Sequence, residues 1–513
     1  MSLKLENIDK RVFFCSSAAY AALFFFIAMW PGQAGPAISK GMDFTVETVG
    51  WFYLVAFTTA FVILGYLAFG PYGNITLGDH GDRPDYSFAS WIGMLFGAGL
   101  GIGLVFFGVY EPLTHYVNPP FGAPKSAEAA QVAFKSMLFH WGLHPWAIYS
   151  ATGLALAYSK HRKKNDARIS GALASLFGEK TIRGPLGKAV DIFSVLAILA
   201  GVGTSAGFAA SQFSAGLASQ HGIPNNAITL VVVTAVICLL STVSAIKGIA
   251  KGIKIISDAN MLIVIALLLF AFIFGPSQYL VKAFFESIGI YINDFPSLCL
   301  FMDAGGQVAA KTGGDWVGMW SVKNFAWWTA FAPFVGVFLA DISKGRTIRE
   351  FVLASTIVPA ILCFMWFDCF GGSAIGFIQS GFFGDAVTKD LLAAPEDSLF
   401  VFLRQLPLSW LTVIVAMALV LTLIITSVNA ATYAMGAIVT TGKDEPSIWV
   451  RAYWGIFLSL NSFLFIWVGG IFTLRGTSLI AAFPFLVIVI LLLISTLKSL
   501  AGEKERNSRE NAG

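Results

Sequence analysis

Apolar runs of about twenty residues recur along this chain, separated by short polar stretches. Each run is long enough to cross ~30 Å of hydrocarbon as a helix. The pattern predicts about twelve spans, at 12–31, 50–70, 90–110, 136–158, 190–217, 226–246, 256–275, 322–341, 351–378, 409–437, 450–472 and 477–498. The first run is too long for the h-region of a signal peptide and follows a dozen residues of both charge signs, so it reads as a retained span. The fold class expected is an all-α polytopic membrane protein.

Composition agrees. Hydrophobic residues make up 57% of the 513 positions and charged residues 12%, about half the charged share of a soluble domain. With the N-terminus inside, the segments on the inner side hold 24 of the 33 Lys+Arg and the outer segments hold 9. The largest basic block, "KHRKKNDARIS", follows span 4. That asymmetry predicts both termini inside, and the net charge of +4 reports topology, leaving no basic domain for nucleic acid. The five cysteines lie in or beside apolar runs without a CxxC, which supports neither a metal nor a disulfide. No GxxxxGK[ST], HExxH or GxSxG occurs, and the soluble segments are too short for a catalytic domain. The chain is therefore expected not to be an enzyme and to need no cofactor. A transporter or a channel remains.

Two clusters carry chemistry. In span 3, "GMLFGAGLGIGLVFFGVYEP" places glycine at every second position from Gly97 to Gly103. Steps of two rotate by about 200° on a helix, so these glycines strip side chains from all sides. Close helix packing is one reading. The other is a helix that unwinds in the membrane, tolerated only where protein or a cavity surrounds it. In span 4, "FHWGLHPWAIY" puts Trp141, Tyr149 and Trp146 within one broad arc if the helix is continuous. Span 8 adds Trp327 and Trp328 just before Pro333. Interfacial aromatic belts are the alternative. Converging rings in an apolar cavity suit a quaternary ammonium, which has no N–H to donate and is held by ring quadrupoles. A channel would instead need a continuous polar pore.

At these residues the chain resembles the betaine–choline–carnitine transporters, over nearly its whole length. "GLGIGLVFFGVYEPLTHY", "FHWGLHPWAIY", "KGIKIISDANM", "AWWTAFAPFVGVFLADISKGRTIREF" and "ITSVNAATYAMG" carry the resemblance. It implies two peripheral N-terminal helices plus a five-plus-five inverted repeat of LeuT-like type. The division would be 1–80 (spans 1–2), 81–275 (spans 3–7), an extracellular connection at 276–321, 322–498 (spans 8–12) and a tail at 499–513. It implies a homotrimer among the lipids of the bacterial cytoplasmic membrane, importing choline, betaine, carnitine or a sulfonium analogue. The family's aromatic box corresponds to Trp141, Trp146, Tyr149 and Trp328, with Gly99 and Gly101 meeting the substrate's other end.

Sodium as coupling ion is also implied, held by Gly97, Leu100, Leu423, Thr426 and Ser427; from the residues alone, Thr204 and Ser205 offer a second pair of adjacent hydroxyls in span 5. The alternative for those hydroxyls is bonding back to their own helices. Asn260 stands where a sodium-independent branch has an arginine. Other departures from the family pattern are Leu100 for methionine, Asn429 for aspartate, Asp258 for asparagine, Asp341 for arginine and Phe331 for tryptophan. Asp258 and Asn429 exchange an acid for an amide between spans 7 and 10, which suggests that they meet. Asp368 in span 9 is an intramembrane carboxylate, hence a candidate for proton coupling or a protonated hydrogen-bonding group. Proton coupling, exchange, or amino-acid transport on the same architecture are the competing functions. The short run after span 12, "SLAGEKERNSRENAG", leads to an expectation of little tail-dependent activation.

Overall fold

The computed structural model describes residues 8–99, 101–247, 250–440 and 446–510, without the side chains of 96–98, 247, 250–254, 461, 463–475 and 506–510. All regular elements among the described residues are helical, and the two isolated β-bridges, Ile8 with Thr440 and Thr76 with Thr347, merely tie connections together. The protein is an all-α polytopic membrane protein. Among the described residues, nine helical stretches are long and apolar enough to cross a membrane. They correspond to spans 1, 2, 5–10 and 12.

Spans 3 and 4 lie outside that set because each is interrupted, a discontinuity that hydropathy does not register, and of span 11 only Ile448–Leu460 counts among the described apolar helices. Helices α1 (Lys10–Met29) and α2 (Pro31–Phe69) open the chain. Span 3 is then divided into α3 (Phe88–Gly99), α4 (Ile102–Phe107) and α5 (Tyr110–Val117). Span 4 is divided into α6 (Ala127–Trp141) and α7 (Leu143–Ala157), which meet at Gly142. A β-carbon at Gly142 would lie 2.2 Å from the Leu138 carbonyl oxygen and 2.5 Å from the Phe364 ring, so glycine is required at this corner. The remaining spans are α8 (Pro185–His221), α9 (Ala227–Lys247), α10 (Ala250–Phe274), and, after the connecting α11 (Ser277–Cys299), α12 (Lys323–Ile342), α13 (Ile348–Phe367), α14 (Ser373–Gln379), α15 (Ser409–Val439) and α16 (Ile448–Glu510).

Spans 11 and 12 lie within the one helical run α16. Ser462 Oγ donates to Gly203 O at 3.4 Å and Ser478 Oγ to Ala200 O at 3.0 Å. Both serines thus reach the same turn of α8, whereas sixteen residues of straight helix would separate them by about 24 Å. The chain reverses between them and crosses the bundle twice.

Two boundaries differ from the sequence reading. Helix α2 begins at Pro31, not near residue 50, because Lys40, Asp43 and Glu47 are exposed and interrupt the hydropathy without interrupting the helix. Its 39 residues make ~58 Å at ~1.5 Å per residue, well beyond the hydrocarbon. The 276–321 connection holds the 23-residue helix α11, which packs on α6 with Lys135 Nζ on Asp294 Oδ2 at 2.8 Å and Gln131 Nε2 on Glu286 Oε1 at 2.8 Å.

The basic block after span 4 gathers several connections at one end of the bundle. Lys164 pairs with Asp79 at 3.0 Å, and Arg162 donates to Gly78 O at 3.0 Å. Arg162 and Lys163 hold Glu503 at 2.5 and 2.9 Å, while Tyr158 OH donates to it at 2.8 Å. The segment after span 12 is thereby anchored to the loop that continues α7. Asp341 has its account here as well: Lys160 Nζ lies 2.5 Å from its Oδ1. An acid at the end of α12 is complementary to a lysine at the end of span 4.

Exchanging the charges tests that pairing. Lys160→Asp alone should slow transport and lower thermal stability by up to about 1 kcal/mol, the scale of a part-exposed pair. Lys160→Asp with Asp341→Lys should recover both. Additive losses in the double variant would show the pair to be uncoupled.

Candidate functional site

The breaks in spans 3 and 4 and the proline-bearing α12 bring aromatic rings to one cavity. It is lined by Gly99, Gly101, Gly103, Leu104, Trp141, Trp146, Tyr149, Trp327, Trp328, Phe331 and Cys363. All four rings expected from the sequence are present and buried, and the other three each contact Trp328. Trp328 is the hub, with ring centroids 5.8 Å from Trp141, 5.4 Å from Trp146 and 4.9 Å from Tyr149. The interplanar angles of 69°, 66° and 47° present different faces and edges to the enclosed space.

The helical-wheel reading reached these residues by a route the structure corrects. Trp141 and Tyr149 do not share a continuous helix. Trp141 is the last residue of α6, and the corner at Gly142 hands the chain to α7, which carries Trp146 and Tyr149.

The glycines serve both of the roles weighed for them. Helix α3 ends at Gly99, and α4 restarts after Gly101, whose φ of −93° and ψ of 172° are extended. Span 3 therefore does unwind beside the rings. A β-carbon at Gly99 would sit 2.4 Å from Trp146, and one at Gly103 would sit 2.5 Å from Trp327 and 2.7 Å from Trp141. At Gly101 the nearest atom, on Phe331, is 3.7 Å away, an ordinary contact.

Trp327, Gly103, Leu104 and Cys363 belong to the lining without having been assigned to it. The adjacent tryptophans at 327 and 328 were a usable signal, because both rings reach the cavity. Cys363 carried none: it arrives from span 9 because α13 packs on α7, and its sequence context marks it as filler. Phe331, noted as the replacement for a tryptophan, lines the cavity too.

A second constellation lies directly behind Trp141. Glu111, 1% exposed, accepts from Trp141 Nε1 at 2.8 Å through Oε2, and its Oε1 is 2.7 Å from His140 Nδ1. His115 Nε2 lies 3.7 Å from the same Oε1. His140 Nε2 is 2.8 Å from Ser321 Oγ, and Trp316 Nε1 donates to His115 Nδ1 at 3.4 Å. The donor atoms of Glu111, His115 and His140 are mutually within 4.8 Å, close enough for a metal. Here Glu111 and His140 are hydrogen-bonded to each other, and His115 Nε2 has no hydrogen-bond partner among the described residues.

The residues proposed for the ion are distributed differently. Leu100 lies outside the described residues, and Gly97 is described only as part of the α3 backbone. Thr426 Oγ1 and Ser427 Oγ both donate to Leu423 O, at 2.8 and 3.0 Å, on α15, which packs against α3 and α4. Each hydroxyl keeps its lone pairs for a cation. Thr204 belongs to another cluster, with Oγ1 2.6 Å from Ser478 Oγ. Ser205 Oγ is buried without a partner among the described residues.

Asp258 and Asn429 do not meet in this conformation. Asp258 is exposed on α10, while buried Asn429 donates to Ser244 Oγ at 2.8 Å. Helix α10 turns Asn260 inward instead, so the reciprocity in sequence does not reflect a contact. Asp368 is buried, in a π-helical turn spanning Asp368–Gly372 between α13 and α14, with Oδ1 unpartnered among the described residues.

Comparison with known proteins gives one answer. The profile described as "BCCT, betaine/carnitine/choline family transporter" matches residues 11–505. A "Probable glycine betaine transporter" of Desulfitobacterium hafniense (strain Y51) is 35% identical, covering 98% of this chain and 100% of its own length. The "Glycine betaine transporter OpuD" of Bacillus subtilis (strain 168) is also 35% identical, covering 98% and 96%. A "High-affinity choline transport protein" of Escherichia coli (strain K12) is 33% identical, covering 99% and 75%.

The glycine contacts make a graded prediction. Gly99→Ala and Gly103→Ala should each abolish high-affinity binding, because an indole must move to admit the methyl group. Gly101→Ala should bind within about threefold of wild type, its methyl group meeting only ordinary van der Waals contact. Isothermal titration of the three purified variants with substrate measures this. Equal effects at all three positions would contradict the packing described.

Proposed function

The chain belongs to the betaine/carnitine/choline transporter family, and we propose that it imports a small quaternary-ammonium compound, such as choline, betaine or carnitine, or a sulfonium analogue, coupled to sodium. It is a transporter and not an enzyme. The observation that carries the substrate reading is the cavity itself. Four aromatic faces converge there, and no charged side chain is among its lining residues. A trimethylated cation has a low charge density and no N–H donors, so rings replace its hydration better than hydrogen-bond acceptors would. The indole N–H groups of Trp327 and Trp328 have no partner among the described residues. They are available to an acceptor on the substrate, a hydroxyl or a carboxylate.

Sodium coupling is supported by the buried Thr426 and Ser427 hydroxyls on the helix facing broken span 3, and by Asn260, which brings no positive charge. The Lys+Arg asymmetry supports orientation with both termini inside the cytoplasmic membrane, and the family resemblance supports a homotrimer.

The deciding experiment is a binding and uptake panel in proteoliposomes with choline, betaine, carnitine, dimethylsulfoniopropionate and amino acids, with and without a sodium gradient. Saturable uptake and counterflow of one quaternary or sulfonium compound is the expected result. A requirement for a free α-amino group would overturn it.

Two predictions follow from the cage and the ion. Trp328→Leu and Trp146→Leu should each weaken substrate binding by at least ~1–2 kcal/mol, roughly tenfold, through loss of a desolvated cation–π contact. Tryptophan fluorescence titration reads this, and wild-type affinity in both variants would remove the cage. Thr426→Ala with Ser427→Ala should raise the sodium concentration for half-maximal uptake at least tenfold. An unchanged sodium response would place the ion elsewhere.

A further inference from the structure

Behind the cage lies a buried carboxylate that the lining does not include. Glu111 is held between Trp141 Nε1 (2.8 Å) and His140 Nδ1 (2.7 Å), with His115 Nε2 at 3.7 Å. Each histidine has a further contact on its outer side. His140 Nε2 lies 2.8 Å from the Ser321 hydroxyl, which can donate or accept, so an ionised Glu111 takes the Nδ1 proton across 2.7 Å. Trp316 N–H donates to His115 Nδ1, so Nε2 is the protonated nitrogen there. Asn324 Nδ2 donates to His140 O at 3.1 Å and fastens the end of α6 to α12. Two N–H groups therefore lie within hydrogen-bonding distance of one carboxyl group, and the His115 N–H stands farther off at 3.7 Å. The acceptor-only, ionised form accepts from both of these donors, and its charge stays uncancelled as long as the two imidazoles are neutral.

We infer that Glu111 is a positioning residue that supplies the cage with its negative charge through Trp141, without touching the substrate. This rests on the quaternary-ammonium reading of the cavity. The indole N–H donated to a carboxylate polarises the ring, and hydrogen-bonded networks of this kind strengthen in a low-dielectric interior. A more electron-rich indole face attracts a cation more strongly. The carboxylate's own field adds to this across a water-poor core, where charges are weakly screened. The arrangement answers a difficulty of the cage. Rings alone face the ammonium, yet a negative charge placed in the lining would bring its own hydration and compete with the methyl groups for space. Placed one hydrogen bond behind Trp141, it acts on the cation while remaining satisfied by donors.

The test compares each quaternary ligand with its carbon isostere: choline against 3,3-dimethylbutan-1-ol, and glycine betaine against 3,3-dimethylbutanoate. The isosteres keep the shape and lose the positive centre. In Glu111→Gln, which retains an acceptor for Trp141, the affinity for the quaternary ligand should fall about tenfold and that for its isostere less than twofold. Glu111→Asp keeps the charge, so its preference for the quaternary ligand should stay within about threefold of wild type, even where both affinities fall. Equal weakening of both ligands in Glu111→Gln would mean that the residue merely holds the ring, and would overturn the inference. An unchanged preference in Glu111→Gln, or one lost equally in Glu111→Asp, would overturn it too. If Glu111→Gln does not fold, the Glu111→Asp measurement decides. Absence of quaternary-ligand binding in the wild type would instead remove the substrate reading on which this one rests.

Discussion

Tryptophan rings occupy the space that β-carbons would need at Gly99 and Gly103, and the cage depends on that close approach. A helix with side chains on all sides would hold the rings of spans 4 and 8 several ångströms further out. Glycine removes that spacing and also weakens the helix, so α3 ends and α4 restarts at the same place. Exposed backbone at membrane depth is tolerated only when protein encloses it. The rings that approach span 3 provide that enclosure. Substrate site and helix break therefore require each other.

The corner at Gly142 makes a second use of the same principle. It separates Trp141 from Trp146 and Tyr149, so that rings close in sequence come from two helix axes and meet Trp328 at different angles. On the far side of Trp141, the Glu111–His140–Ser321 chain links the start of α5, the end of α6 and the entry to α12. The three broken or irregular spans are thus joined once through rings and once through hydrogen bonds. At the basic end, Lys160–Asp341 and the Glu503 cluster join the exits of the same spans 4 and 8 to the segment after span 12.

Much of this was legible in the sequence, and what was missed has physical causes. Hydropathy finds spans because lipid demands long apolar runs, and the glycine and tryptophan clusters were conspicuous within them. Helix continuity is a different property. The polar start of α2 is helical without being apolar, whereas spans 3 and 4 are apolar without being continuous. Glu111 and His115 sit at the polar edge of span 3, where a charged pair reads as a solvated end. Their burial comes from α6 and from Trp316, remote in sequence. The exchange of acid and amide at Asp258 and Asn429 suggested a contact that helix rotation denies, since α10 turns Asp258 outward and Asn260 inward. Cys363 shows the converse, a residue without any local mark that packing brings to the site.

The central claim is that ring electrostatics, rather than shape alone, hold the substrate. Site-specific replacement of Trp328 by mono-, di- and trifluorinated tryptophan withdraws electron density from the ring in steps while scarcely changing its size. The account predicts that the logarithm of the substrate dissociation constant rises linearly with each added fluorine. A dissociation constant that stays flat across the series would contradict it.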